Sequence, residues 1–312
     1  MVIAIDIGGT FIKIGLIDIG EIVVKTSIKS HLNVGFKNTI SDIENTIDAL
    51  LSEYSISKKK IQGIGIGFPG IVDSINMRVL STNKKYDDSL GFNFSDWARN
   101  TYDTQVFLEN DARIALLGEW QYGAGKGIDN ITMMTLGTGV GSATIINGKL
   151  LKGKHFQAGN LGGHSTVKVN GALCTCGNLG CVEAEASTWR LAELLKSDSR
   201  YANSKIEGDK LDFESVFKYA EEGGELSLAV RNQCLEVWSA GIINQIHAFD
   251  PELVIIGGGV MKSADVIIPF IKNMVEKHAW THWGEVNIVP SKIPNRSALL
   301  GGYYLVIKNL KE

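Results

Sequence analysis

"VIAIDIGGTFIKIGLIDIGEIVVKTSIKS" (residues 2–30) consists of short runs rich in isoleucine and valine, broken at Gly8–Gly9 and again at Gly20. Such runs, bounded by glycine, predict a β-meander rather than helices. The first break carries chemistry: "DIGGT" (6–10) gathers a carboxylate, two glycines and a hydroxyl at one turn between strands. Glycines there let consecutive backbone N–H groups converge on an anion, and Thr10 adds a hydroxyl donor. The pattern returns in "MMTLGTGVG" (133–141), with Thr138 in the corresponding place. One instance would be an ordinary hairpin turn. Two predict related lobes, each opening with a hairpin, and a clamp for nucleotide phosphate.

Working outward, Ile40, Ile43, Ile47, Leu50 and Leu51 are spaced for one helical face. "IQGIGIGFPGIVD" (61–73) reads as a strand ending in a glycine-rich loop. Asn147-Gly148 marks a tight turn between two apolar runs. Leu235, Trp238, Ile242 and Ile246 share a late helical face, which leads into "PELVIIGGGVM" (251–261), a buried strand ending in three glycines. A chain of 312 residues exceeds the usual reach of a single core, so two lobes are expected, divided near Asn110. The first spans 1–110 and the second 111–296. A C-terminal helix over about 297–312 is open to packing on the first lobe.

The bulk properties exclude several functions. Hydrophobic residues make up 44% and charged residues 21%, ordinary for a globular chain, and the net charge of −3 gives no footprint for nucleic acid. No apolar stretch is long enough to span a bilayer, and the N-terminus has no signal-peptide pattern. A cytoplasmic location follows as the expectation, and thiols there stay reduced.

Two glycine patterns are decoys. "GIGFPG" (65–70) fits a dinucleotide fingerprint in form, but no helical period follows it. "GAGKG" (123–127) lacks the Lys-Ser/Thr ending of a phosphate loop. "LENDA" (108–112) is more informative. Asp111 follows an apolar run and precedes a helical stretch, so it reads either as a general base or as a helix cap.

The densest constellation is "CTCGNLGCVE" (174–183), which holds three of the four cysteines. Cys174, Cys176 and Cys181, with His164 ten residues upstream of the first, form a Cys3His set suited to tetrahedral zinc. Four protein ligands leave no open position, so the ion would be structural. Cys234, one helical turn before Trp238, reads as core.

In the order in which they occur, "DIGGT", "GFPGIVD", "LENDA", "LGTGVG", "GGH" before the cysteine cluster, and "VIIGGGV" resemble the ROK proteins (repressors, open reading frames and sugar kinases) across nearly the whole chain. The resemblance implies an α/β, two-lobed actin-like ATPase (ribonuclease H-like) fold with a central cleft. It implies a glucokinase-like enzyme that uses ATP and Mg2+ to phosphorylate a hexose hydroxyl, at the 6-position by family habit, and a homodimer. By the same resemblance Asp111 is the catalytic base, and Asn110, His164, Glu183 and Gly70 belong to the sugar site. Gly8, Gly9, Thr10, Gly137, Thr138 and Gly139 would hold phosphate, with Asp6 near the magnesium. Gly257, Gly258 and Gly259 would border the adenosine, and the zinc would fix His164 and Glu183 toward the sugar.

Two departures bear on the sugar. Family kinases carry a Glu three residues before the zinc-site His; here the stretch is "AGNLGGH" (158–164), which leaves Asn160, or Leu161, in that place. The segment "NKKYDDSLGFNFSDW" (83–97) matches the family's sugar loop only loosely. A kinase for fructose or an N-acetylated amino sugar, and a sugar sensor without catalysis, therefore stand as alternatives. A family repressor would carry a DNA-binding domain ahead of its first strand, and here that strand begins at Val2.

Overall fold

The isoleucine-rich opening folds as three antiparallel strands, and the structure places a second such group later in the chain. The computed structural model describes residues 1–30, 35–82 and 85–311. In chain order the first elements are β1 (Val2–Ile7), β2 (Phe11–Asp18), β3 (Glu21–Lys29) and α1 (Phe36–Glu53). Next come β4 (Gly63–Phe68), β5 (Ile71–Asp73), β6 (Arg78–Ser81), α2 (Phe94–Tyr102), β7 (Val106–Asn110) and α3 (Asp111–Tyr122). The middle holds β8 (Ile131–Leu136), β9 (Val140–Ile146), β10 (Lys149–Leu150), α4 (Val182–Ala186) and α5 (Thr188–Lys196). The last are α6 (Phe213–Glu221), α7 (Glu225–Phe249), β11 (Leu253–Gly257), α8 (Ala264–His278), β12 (Asn287–Pro290) and α9 (Ser297–Asn309).

The chain divides into two units. The first comprises Met1–Gly127, Leu150–Asn160 and Lys292–Glu312; the second comprises Ile128–Lys149 and Leu161–Ser291. Each has a five-stranded sheet of one plan, ordered β3-β2-β1-β4-β7 and β10-β9-β8-β11-β12. In each, an antiparallel hairpin (β1/β2, β8/β9) is extended on its other side by parallel strands (β4 and β7, β11 and β12). The recurrence read in the two glycine-threonine turns is thus a recurrence of topology.

In the first unit the spaced apolar positions of α1, from Ile40 to Leu51, are buried, together with Phe36, Phe68 and Phe94, whose rings meet at 5.5–6.0 Å. Strand register brings chemistry to one end of the sheet. Asp6 pairs with Lys13 across β1/β2 and with Gly67 across β1/β4, and Gly67 pairs with Glu109 on β7. "GIGFPG" runs from β4 into β5, so no helix opens there and the dinucleotide fingerprint is absent.

The unit boundary lies after Gly127 rather than near Asn110. The reason is a helix pair: α3 packs on α9 through glycines whose missing side chains let backbones meet. A Cβ on Gly301 would overlap the Ile114 carbonyl, and one on Gly118 would overlap the Ser297 carbonyl. We expect Gly118→Ala to be destabilising. Alanine favours a helix by roughly 1 kcal/mol over glycine, but forced overpacking typically costs about 1–3 kcal/mol, and here the obstacle is rigid backbone. The urea midpoint should fall; an unchanged or raised midpoint would contradict this packing account.

The second unit centres on α7. Leu235, Trp238, Ile242 and Ile246 are buried as their spacing predicts, and the Trp238 indole donates to the Ala186 carbonyl at 2.7 Å. Cys234 is a fully buried core residue, and burial pushes its thiol up to about 12. Among the described residues no helix is long and apolar enough to cross a membrane.

Candidate active site and metal centre

Where β7 runs into α3, the helix cap is Asn110, not Asp111. The Asn110 Oδ1 accepts from the N–H groups of Ala112 (3.1 Å) and Arg113 (3.2 Å). Its Nδ2 donates to the Gly70 carbonyl and to Asp111 Oδ1, each at 2.9 Å. An asparagine has two donors and two acceptor lone pairs, so Asn110 is fully spent inside the protein. The sugar role that the ROK resemblance implies for Asn110 would require it to exchange one of these bonds for a sugar hydroxyl. Gly70, expected beside the sugar, serves this corner as the acceptor for Asn110, and its φ of 112° excludes most other residues.

Asp111 is thereby free of the capping duty. Its Oδ1 takes the Ala112 N–H at 2.8 Å, and no hydrogen bond falls on Oδ2 among the described residues. Burial pushes the carboxyl up to about 6, helped by the negative charge of Asp6 and opposed by the Ala112 N–H, Lys85 and Asn110. Gly67 lies between the two: a Cβ there would stand in ordinary contact with the Asp111 Cα (3.6 Å) and Asp6 Oδ1 (3.7 Å), and would press on the Ile114 side chain at 2.7 Å. Asp6 is itself raised by burial, while Lys13, 3.3 Å away, pulls it down. The "DIGGT" turn lies next in sequence, closed by a Gly8 N–H to Phe11 carbonyl bond of 3.1 Å. The Lys85 ammonium sits 3.9 Å from where a Gly9 Cβ would be. Of the expected sugar loop, Asn83 and Lys84 lie outside the described residues.

The second unit holds a cleft of about 510 Å3, lined by Gly137, Thr138, Thr188, Phe213, Lys262 and Gly259 among others. Two of the predicted glycine stretches therefore meet at one cavity, of a size typical for small-ligand sites. The Gly137 turn is braced from behind: its carbonyl accepts from the Thr188 N–H (3.1 Å) and hydroxyl (2.8 Å) at the start of α5. Gly258, with φ 95°, turns the chain over Leu136, and a side chain on Gly259 would meet nothing. Gly257 ends β11, where a Cβ would press on Met133 at 2.7 Å.

Glu183 ties this turn to the cysteine loop. One carboxylate oxygen accepts the Val140 N–H at 2.9 Å; the other accepts the Thr175 hydroxyl at 3.4 Å. A Cβ on Gly139 would displace the Glu183 carboxylate from its place against the turn. In the loop, the donor atoms of His164, Cys174, Cys176 and Cys181 all lie within 4.8 Å of one another. Cys176 and Cys181 sulfurs are 3.7 Å apart, and Cys174 sulfur is 3.5 Å from His164 Nδ1. Tetrahedral zinc with bonds of about 2.3 Å to sulfur and 2.0–2.1 Å to nitrogen requires edges of about 3.8 and 3.6 Å. The donor set therefore fits the ion, and binding through Nδ1 leaves His164 its Nε2. Burial pushes the Cys174 and Cys181 thiols up, helped by the neighbouring Cys176 thiol and, for Cys181, by Cys174, a cost a bound cation would reverse.

The family model for ROK proteins matches residues 2–309. The chain belongs to the ROK family. A glucokinase of Thermotoga maritima is 31% identical over 97% of this chain and 96% of its own length. A xylose repressor of Bacillus subtilis is 26% identical over 99% of this chain, which spans 78% of the repressor. Among solved structures, a ROK glucokinase of Streptomyces griseus in complex with glucose and AMPPNP has a TM-score of 0.80 at 26% identity, covering 98% of this chain and 99% of that one. The fold is accordingly that of the actin-like ATPases, as the ROK motifs imply.

Sequence reasoning missed several residues of this ROK chain. Phe213, Phe217 and Lys218 of α6 line the cleft, although nothing in their sequence separates them from an ordinary amphipathic helix. Lys13 follows a two-residue alternation that could have placed it opposite Asp6. Lys85 carried no signal beyond its charge.

Proposed function

We propose that this chain is an ATP-dependent sugar kinase acting on a hexose hydroxyl, at the 6-position by analogy with its glucokinase relatives. The observation that carries the reading is the Asp111 carboxyl: raised to about 6, held by Asn110, with one oxygen unbonded among the described residues, beside the "DIGGT" turn. A base needs a pKa near its working pH and an open oxygen. Asp111 Oδ2 takes the proton of the attacking hydroxyl. The hydroxyl oxygen bonds to the γ-phosphorus as the bond to the β-phosphate oxygen breaks, and ADP leaves. Such transfers need positioning and charge neutralisation more than covalent help.

The turns at Gly8–Thr10 and Gly137–Gly139 would take phosphate. The cleft bordered by Phe213 and Gly259 would take the nucleoside. Mg2+ is held mostly by phosphates and water, so the single carboxylate of Asp6 suits it; the ion would supply charge neutralisation on the phosphates. His164, Cys174, Cys176 and Cys181 would hold zinc as a staple. The staple fixes His164, and through Thr175 it supports Glu183, which keeps acceptor capacity for sugar hydroxyls.

A coupled assay of ATP consumption across a hexose panel tests the reading. Hexose-dependent ADP release supports it; hexose binding without turnover supports instead the sensor reading, which the similarity to xylose repressors keeps in view. Asn160 addresses which hexose. It is 7% exposed, and its Oδ1 has no hydrogen-bond partner among the described residues. Asn offers a donor and an acceptor where an ionised Glu offers acceptors only, which favours fructose or an N-acetylated amino sugar alongside glucose. Asn160→Glu should therefore change relative kcat/KM among glucose, mannose, fructose and the N-acetylhexosamines. An unaltered profile would place Asn160 outside the sugar site.

A further inference from the structure

Arg113 and Glu109 are both fully buried, an unusual place for two charges. Their mutual bond is long, with Arg113 Nη1 3.4 Å from Glu109 Oε1. A buried ion pair is seldom a net source of stability, since desolvation offsets the attraction. What the pair does here is mechanical. Arg113 Nη2 donates to three carbonyls of one segment: Leu151 at 3.1 Å, Lys152 at 3.3 Å and Ala158 at 2.7 Å. Glu109 Oε2 forms an ion pair with Lys152 of the same segment at 3.0 Å, and Oε1 accepts the Asn110 N–H at 3.0 Å. These two residues flank Asn110 and Asp111 in sequence. The segment they grip ends at Asn160, two residues beyond the held Ala158 carbonyl, after a turn at Gly159 with φ 77°. Asn160 carries the orphaned, buried Oδ1. An unmade hydrogen bond at a buried oxygen is costly, and a ligand hydroxyl would complete it.

We propose that Arg113 is a positioning residue for the sugar acceptor, locking the Asn160 segment to the corner that carries Asp111. This rests on the kinase reading for its substrate, and not for its mechanics. A guanidinium suits the task because Nη1 holds Glu109 while Nη2 holds the carbonyls of 151–158, whereas a lysine presents one nitrogen for both.

The test uses Arg113→Lys, Asn160→Ala and the double variant. Hydrogen exchange across 151–160 should quicken by about tenfold in Arg113→Lys, with α7 amides unchanged. The hexose KM should rise by roughly tenfold while the KM for ATP stays within about twofold. In the Asn160→Ala background the same substitution should add nothing to the hexose KM, because the two act as one. A merely structural arginine would raise the hexose KM equally in both backgrounds and would overturn the proposal. So would wild-type exchange in 151–160. Should Arg113→Lys fail to fold, Lys152→Met removes a partly exposed partner of the same lock. It should shift exchange and hexose KM in the same direction by about threefold, and no shift overturns the proposal. Hexose affinity measured by calorimetry without ATP keeps the outcomes apart: a wild type that turns over no hexose sinks the kinase reading, while exchange and binding still decide the role of Arg113.

Discussion

Asp111→Asn should abolish nearly all phosphoryl transfer while leaving a folded protein that still binds sugar. Loss of a general base costs about 10²–10⁴ in rate, or roughly 3–5 kcal/mol of barrier. Sugar affinity by calorimetry should move little, because Asn keeps the shape of the side chain and its contact with the Ala112 N–H is a minor one. Stability should hold or improve, since neutralising Asp111 removes its repulsion with Asp6. The wild-type pH profile provides a second reading. The base acts only when ionised, and burial raises its pKa to about 6. Activity in kcat/KM should therefore be full above about pH 7 and fall about tenfold per unit below pH 6. Wild-type turnover by Asp111→Asn, or a profile flat to pH 5, would remove Asp111 from the base role.

The second large effect is expected at the thiol cluster. Purified protein should contain one zinc per chain, and Cys176→Ser should lose it. Cys176 is the informative choice because it is exposed, whereas Cys174 and Cys181 are buried. Serine there opens no cavity, so any loss traces to the metal. Loss of a structural ion ranks among the large destabilising events, and a fall in Tm on the order of 10 °C is expected. Glu183 links the loop to the Gly139 turn, so sugar and nucleotide affinity should weaken together. A metal-free wild type with unaltered Tm and full activity would refute the site.

The parts legible in sequence were those in which chemistry is local. Three thiols within eight positions announce a metal loop, and glycine-threonine turns after apolar runs announce hairpins. The face of α1 was legible because solvent lies on its other side. Helix α3 was not: eight consecutive residues from Ala112 to Glu119 are buried, so no amphipathic period marks its packing. That hid both the Arg113 lock and the place where the first unit ends. Two charged side chains in a helix normally mean solvent, and only the carbonyls of 151–158, some forty residues away, give Arg113 its role. The same limit applies to Asn110 and Asp111. Either could cap a helix, and the choice was settled by a long-range acceptor, the Gly70 carbonyl.

Helix α9 belongs to the first unit, where its glycines press against β4 and α3. It follows every other described element in the chain, so it leaves the ribosome after them. The first 127 residues emerge early, yet the strand face built on Ala4 and Gly65 waits uncovered until residue 302 and its neighbours arrive. The second unit, complete at Ser291, has all its residues first. Domains generally fold as they emerge, N-terminal first; here the residues of the second unit are all made before the first unit's last segment, which starts at Lys292. A chain cut short before Ser297 would thus lack the cover of the β1–β4 face, an exposed apolar surface of the kind chaperones bind.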